Sequence, residues 1–283
     1  VIEVSAIADL RAWSGEHRRA GRRIGLVPTM GYLHEGHLTL VDEARRRADA
    51  VAMSIFVNPL QFAPGEDFAR YPRDLPRDRA LAAERGVDLL FVPEVEAMYP
   101  AGAETRVVPG PTASRWEGEV RPGHFAGVLT VVAKLFHLVE PDVAVFGQKD
   151  IQQAALIRRM VRDLDWPLEV VVARTVREAD GLAMSSRNSY LGPSDRVRAL
   201  ALSRGLAAAH RAFAAGERSA GAIERLVRDA VEVTGGLAAD YIAVVDPDRL
   251  EPVKRVGDDT VVAVAARVGP TRLIDNIILG VGV

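Results

Sequence analysis

Five short runs of apolar, largely β-branched residues recur between longer stretches of helical pattern, and this alternation constrains the fold more than any other feature of the chain. The runs are Ile24 to Pro28, Val51 to Val57, Asp88 to Val92, Val143 to Phe146 and Leu168 to Ala173. They lack the in-and-out alternation of a strand with one wet face, so they read as strands buried on both faces. Helical pattern covers His37 to Asp49, Asp74 to Arg85, Phe125 to Val139 and Ile151 to Leu164. In the third of these, Phe125, Val128, Leu129, Val132, Leu135, Phe136 and Val139 fall at spacings of three and four and mark one wide apolar face. Strand and helix in alternation predict an α/β fold, a parallel sheet covered by helices. Ligands of such open sheets sit beyond the carboxyl ends of the strands. The segments starting at Met30, Asn58 and Gly147 each follow a predicted strand, so they are expected to lie near one another.

Past about residue 175 the texture changes to Ala- and Arg-rich helical pattern at Ser194 to Ala215 and Ala220 to Val233. Three strand-like runs follow, Asp240 to Val245, Thr260 to Val268 and Thr271 to Leu279, the last two joined by a Gly269-Pro270 turn that suggests a hairpin. The expected organisation is a domain over 1–175 and a second, smaller α+β domain over 176–283.

With 283 residues, 48% of them apolar and 26% charged, the chain can build a sizeable core without staples. A formal net charge of -2 supplies no positive field to gather phosphate backbones, so nucleic acid is not an expected partner. The absence of cysteine excludes disulfides, thiolate metal sites and thiol nucleophiles. The opening residues lack the basic start and apolar run of a signal peptide, and no segment reaches the roughly 18 uninterrupted apolar residues of a membrane span. The expectation is a cytoplasmic protein without a membrane partner.

Chemistry concentrates at four places. The segment Pro28-Thr29-Met30-Gly31-Tyr32-Leu33-His34-Glu35-Gly36-His37 joins a buried strand to a helix. Gly31 and Gly36 can take backbone angles closed to other residues, and the free N–H groups of a helix start favour an anion such as phosphate. His34 and His37 add donors that can assist a leaving pyrophosphate. A zinc-protease site needs His-Glu-x-x-His with spacing four, whereas these histidines are three apart with Gly36 between them. Neither a Walker loop nor a dinucleotide fingerprint occurs at a strand–helix junction. Asn58-Pro59-Leu60-Gln61 offers two uncharged amides suited to hydroxyl and carboxylate oxygens; as a turn opener Asn58 is accounted for, while Gln61 is not. Gly147-Gln148-Lys149-Asp150 opens another helix, where Lys149 can hold phosphate oxygens and Asp150 can either ligate Mg2+ carried on ATP or cap the helix. Gln153 lies over that same helix start. Finally, Met184-Ser185-Ser186-Arg187-Asn188, near Gly181, can close on a triphosphate or simply cap the next helix.

Taken together, PTMGYLHEGH, SIFVNPLQF, RPGHFAGVLTVVAKLF, FGQKD, READGLAMSSRN and TRLIDNI closely resemble the pantothenate synthetase (pantoate–β-alanine ligase) family, almost end to end, and within it the wider group of nucleotidyltransferases with an HxGH-type signature, here His34-Glu35-Gly36-His37. The resemblance implies a Rossmann-like amino-terminal domain, a smaller carboxyl-terminal lid and a homodimer. It implies that (R)-pantoate attacks the α-phosphorus of ATP, that pyrophosphate leaves, and that β-alanine then attacks the enzyme-bound pantoyl adenylate to give pantothenate and AMP. By the same likeness, Met30, Gly31, Tyr32, Leu33, His34, Glu35, Gly36, His37, Gly147, Gln148, Lys149, Asp150, Val176, Met184, Ser185, Ser186 and Arg187 would bind ATP. His37, His34 and Lys149 would be catalytic, with His37 the proposed acid. Gln61 and Gln153 would hold pantoate, Gln61 would also lie near β-alanine, and Arg121 and His124 would flank the pantoate side. Two departures stand out: Tyr32 where a small residue is common, and Gln148 where glutamate also occurs. An aminoacyl-tRNA synthetase or a nucleotide-binding regulatory module are the competing readings of the loops alone.

Overall fold

In the computed structural model, which describes residues 1–234 and 236–283, the chain divides into two compact units. The first holds 1–147 and 156–174, and the second holds 148–155 and 175–283.

The first unit is a six-stranded parallel sheet with helices on both faces. In chain order its elements are β1 (Ile2–Val4), α1 (Ile7–Arg19), β2 (Ile24–Thr29), α2 (Glu35–Arg45), β3 (Ala50–Ile55), α3 (Leu75–Glu84), β4 (Leu89–Phe91), α4 (Val95–Met98), α5 (Glu117–Val120), α6 (His124–Val139), β5 (Val143–Gly147), α7 (Ile151–Asp163), of which 151–155 count with the second unit, and β6 (Glu169–Ala173). The sheet runs β1-β4-β3-β2-β5-β6. All five expected strands are present, and β1 joins them at the edge against β4.

Pleating sends alternate residues of each strand into different cores. Ile24 and Leu26 of β2 pack with α1 and α6, while Val27 packs on the other face with Leu40 and Val41 of α2. Every residue of the apolar stripe expected on α6 is buried. At roughly 1.5–3 kcal/mol for each fully buried side chain, that stripe fixes α6 firmly and with it the residues at its first turn. Strand order reverses between β2 and β5, which are hydrogen-bonded neighbours with Leu26 opposite Ala144. The loop after β2 therefore leaves the sheet beside a topological switch point.

The second unit contains α8 (Pro193–Ala214), α9 (Ala220–Arg228) with a π-helical continuation over Asp229–Thr234, and the antiparallel sheet β7 (Ala238–Val245), β8 (Val261–Val268) and β9 (Thr271–Ile278). Gly269 takes φ +57° in the tight β8–β9 turn, matching the expected hairpin. Val262, Val264, Ala266 and Val268 of β8 join Leu202, Leu206, Ile223 and Val227 of the helices in one core. No helix of the described residues is long and apolar enough to cross a membrane.

Candidate active site

The loop after β2 is held by a carboxylate from a distant helix. Thr29 begins it, donating its hydroxyl to the Ser54 carbonyl (2.6 Å) and accepting the Gly31 N–H (3.2 Å). Gly31 turns the chain at φ +81°, and a Cβ there would come within 2.8 Å of Ile55 Cγ2 and 3.0 Å of Asp78 Oδ2. Tyr32 also takes a left-handed φ, +51°, which costs a side chain that glycine lacks. Asp78 of α3 supplies the compensation: its two carboxylate oxygens accept the Tyr32 and Leu33 N–H groups, each at 2.7 Å. Arg77 completes the clamp by donating to the Leu33 carbonyl (2.9 Å) while its guanidinium lies 5.6 Å from the centre of the Tyr32 ring. Tyr32 is thus supported on both its main chain and its ring.

Asp78 is 1% exposed, and this burial raises its pKa above the usual aspartate range despite the two N–H donors. The native chain therefore keeps the Asp78 proton to higher pH than the unfolded chain does. The stability this group contributes is fully present below about pH 4 and is lost as pH rises through the native value. Asp78→Asn is expected to flatten that part of the profile, and to cost about 1–3 kcal/mol at neutral pH because its NH2 would face one of the two N–H donors. Urea unfolding midpoints of both proteins between about pH 4 and 7 check this; parallel profiles would remove the carboxylate from the loop's support.

His34 is the N-cap of α2, and the His37 N–H donates to its carbonyl at 2.8 Å. His37 Nδ1 lies 3.4 Å from the His34 N–H and the two rings are 4.0 Å apart. With Nδ1 turned to a donor, the proton of neutral His37 belongs on Nε2, which makes that atom a hydrogen-bond donor. The N–H groups of Glu35 and Gly36 have no acceptor within the helix. Gly36 lies in the regular first turn of α2, so of the two glycines of this segment Gly31 alone uses a left-handed angle. The exposed Glu35 side chain pairs with Arg85.

A second polar knot follows β3. Asn58, 1% exposed, caps the 3-10 turn Pro59–Gln61: its Oδ1 accepts the Leu60 N–H (3.3 Å) and the Tyr99 hydroxyl (2.9 Å). Its Nδ2 donates to Gln61 Oε1 (3.0 Å) and to the Gly127 carbonyl (3.1 Å). Burial raises the Tyr99 phenol's pKa and keeps it a donor. Gln61 Nε2 then reaches Met30 Sδ at 3.1 Å, so the loop after β2 and the turn after β3 meet through these two side chains. Gly127 permits the arrangement, since a Cβ there would lie 2.1 Å from the Leu60 carbonyl oxygen. Arg121 and His124 grip the Gln61 carbonyl at 3.3 and 2.8 Å, and Arg121 makes a two-pronged pair with Glu66 at 2.8 Å for each contact. Burial works to raise the Glu66 pKa, but Arg121 overrides it and the carboxyl lies below its usual range.

Within the second unit, the 3-10 turn Gln148–Asp150 packs on β9, with Gln148 buried, Lys149 partly buried and Asp150 exposed. Gln152 is buried and Gln153 partly exposed at the start of α7. Val176 and Met184 are tied by a main-chain bond of 2.9 Å across a turn in which Gly181 has φ +94°. Ser185 caps the following 3-10 turn by accepting the Arg187 N–H (3.2 Å), whereas α8, the helix this segment was expected to cap, has Gly192 as its N-cap and no side-chain cap. Asn188 holds the turn to Glu178 (2.6 Å) and to the Ala183 carbonyl (3.0 Å). Asp78, Tyr99 and Glu66 are absent from the residues the sequence marked, and no local spacing announces them.

A parallel sheet whose switch-point loop presents a helix start and two histidines, beside a buried pair of amides, defines the class as an α/β protein with its candidate site beyond the carboxyl ends of the strands. The sequence profile described as Pantoate-beta-alanine ligase matches residues 3–278, and the chain belongs to that family. It is 52% identical to the pantothenate synthetase of Heliobacterium modesticaldum over 98% of this chain and 99% of that one. It is 53% identical to the pantothenate synthetase of Moorella thermoacetica over 98% of each chain. Among solved structures, a pantothenate synthetase from Thermus thermophilus is similar with a TM-score of 0.93, 51% identity and 99% coverage of both chains. The pantoate-beta-alanine ligase of Francisella tularensis, solved with beta-gamma ATP and beta-alanine, is similar with a TM-score of 0.81 and 31% identity, covering 100% of this chain and 99% of that one.

Proposed function

We propose that this ligase works through the residues described above in two half-reactions, adenylation of (R)-pantoate and transfer of the pantoyl group to β-alanine. The chain is an ATP-dependent pantoate–β-alanine ligase. On our reading ATP is bound by Met30 to His37, Gly147 to Asp150, Val176 and Met184 to Arg187. Pantoate is held by Gln61 and Gln153, with Gln61 also near β-alanine. The observation that most supports this reading is the 3.1 Å contact of Gln61 Nε2 with Met30 Sδ, which sets an uncharged acid-binding amide beside the loop read as binding the nucleotide. An amide holds a carboxylate without neutralising it, so the acid keeps its nucleophilicity.

In the first half-reaction a pantoate oxygen bonds to the α-phosphorus and the bond to the bridging oxygen of pyrophosphate breaks. Negative charge grows on the departing group, and His34, His37, Lys149 and Arg187 are the donors that would stabilise it. His37 fills this role by hydrogen bonding from Nε2, as electrostatic stabiliser or acid. In the second half-reaction the uncharged amine of β-alanine attacks the acyl carbon and AMP leaves, which depends mainly on placement and on exclusion of water. No trio of His, Asp or Glu among the described residues is grouped as a metal cage. On this reading the exposed carboxylate of Asp150 would hold the Mg2+ carried on ATP, which would offset phosphate charge there. We further read 1–175 as the nucleotide- and pantoate-binding domain and 176–283 as the lid of a cytoplasmic homodimer.

The test is isotope exchange. Exchange of pyrophosphate into ATP is expected with pantoate and without β-alanine. Dependence on an amino acid instead, as in a tRNA synthetase, or ATP binding without any exchange, as in a regulatory module, would overturn the two-step reading.

A further inference from the structure

The late segment Thr271 to Ile277 has no part in the reaction just described, yet two of its polar side chains are almost completely buried, Asp275 at 3% and Asn276 at 1% exposed. Successive residues of β9 face opposite ways. Asp275 lies opposite Val264, and Asn276 lies opposite Ala263. Asn276 Nδ2 donates to the carbonyls of Gln148 and Lys149, each at 2.9 Å, and its Oδ1 accepts from Gln148 Nε2 at 3.2 Å. Two donors and one acceptor, all directed at one 3-10 turn, are what a side-chain amide offers and what Asp, Ser or Leu does not.

The strand has no need of this group for its own sake. A buried amide costs free energy unless bonded, and an apolar side chain would suit β9 better if packing were the only requirement. Asp275 braces the arrangement from the other side: its Oδ1 accepts the Asn276 N–H at 2.8 Å, and both oxygens take Arg177 at 2.7 and 3.0 Å. Burial pushes the Asp275 carboxyl up against the pull of Arg177 and of the nearby Lys149 charge.

We propose that Asn276 is the positioning residue for Lys149, holding the main-chain carbonyls on both sides of the Lys149 Cα so that the ammonium meets the triphosphate in the adenylation step. The proposal rests on the reading of Lys149 as a phosphate-binding group. Asn276 touches no substrate; its effect passes through the two carbonyls.

The test separates the half-reactions. Asn276→Asp keeps size and replaces both donors by acceptors that repel the two carbonyls, and Asn276→Ser keeps one donor with the least disturbance. Each full-length variant is assayed below its own thermal midpoint for pantoate-dependent pyrophosphate–ATP exchange, and in single turnover for aminolysis of chemically prepared pantoyl adenylate by β-alanine. Exchange is expected to fall roughly 10- to 100-fold in Asn276→Asp, and less in Asn276→Ser, with the loss falling on kcat of adenylation as it does for Lys149 itself. KM for pantoate and the aminolysis rate should stay within about twofold of the parent, since neither uses the triphosphate. Exchange at the parent rate in both variants overturns the proposal. So does an equal loss in both half-reactions, which is what a merely loosened sheet produces. Lys149→Ala run alongside distinguishes the failures: if it too exchanges normally, the phosphate role of Lys149 has failed, whereas its inactivity beside a fully active Asn276→Asp condemns the positioning role alone.

Discussion

Lys149→Ala is expected to lower pantoate-dependent pyrophosphate–ATP exchange by about a thousandfold while leaving the chain folded, the upper range for loss of one preorganised electrostatic donor. The expectation of an intact fold has a structural basis. The turn that carries Lys149 is held through the carbonyls of residues 148 and 149 and the buried Gln148 side chain, none of which the substitution touches. Circular dichroism and thermal unfolding should therefore match the parent. The loss should fall on kcat of adenylation, because charge grows on the departing pyrophosphate only as the reaction proceeds. Exchange retained at more than roughly a tenth of the parent rate would exclude Lys149 from the reacting phosphates.

Gln61→Glu is expected to reduce kcat/KM for pantoate by about two hundredfold. The replacement is isosteric, and the acceptor that takes the Asn58 amide at 3.0 Å survives it. What changes is a negative charge set against the substrate's carboxylate, together with loss of the N–H that reaches Met30. Like charges brought together in a half-buried site cost roughly 3 kcal/mol, which corresponds to about two hundredfold. Binding of ATP alone, followed by calorimetry, should be much less affected. A variant with parent-like kcat/KM for pantoate would show that Gln61 does not meet the acid.

The sheet was legible because strands buried on both faces leave continuous apolar runs, and the stripe on α6 because seven apolar residues repeat at helical spacing. The amino-terminal pair was not. Only Val4 of β1 escapes full exposure, and the buried stripe of α1, Leu10, Trp13, Ser14 and His17, has the right spacing but two polar members that mask it. At the site, residues that sit on the strand–helix junctions announced themselves by position. Those that hold the junctions in place did not, since each acts across a long stretch of chain: Asp78 on Leu33 over 45 residues, Tyr99 on Asn58 over 41, Glu66 on Arg121 over 55. Spacing rules describe neighbours along a helix or strand, and they are silent about a carboxylate that arrives from another element. Gly36 does not use the backbone freedom that glycine offers, since it lies in an ordinary helical turn.

The bond between Gln148 and Asn276 spans 128 residues, and it joins a segment that follows β5 directly in the chain to a strand close to its end. Any recombination between two homologous genes with its crossover inside that interval draws these partners from different parents. Where one parent carries glutamate at 148, the chimaera sets a new carboxylate toward an asparagine tuned to an amide, although each half is sound in its own background. The two positions are therefore expected to travel as a linked pair in descent, and an exchange of modules at a boundary near residue 175 is expected to separate them.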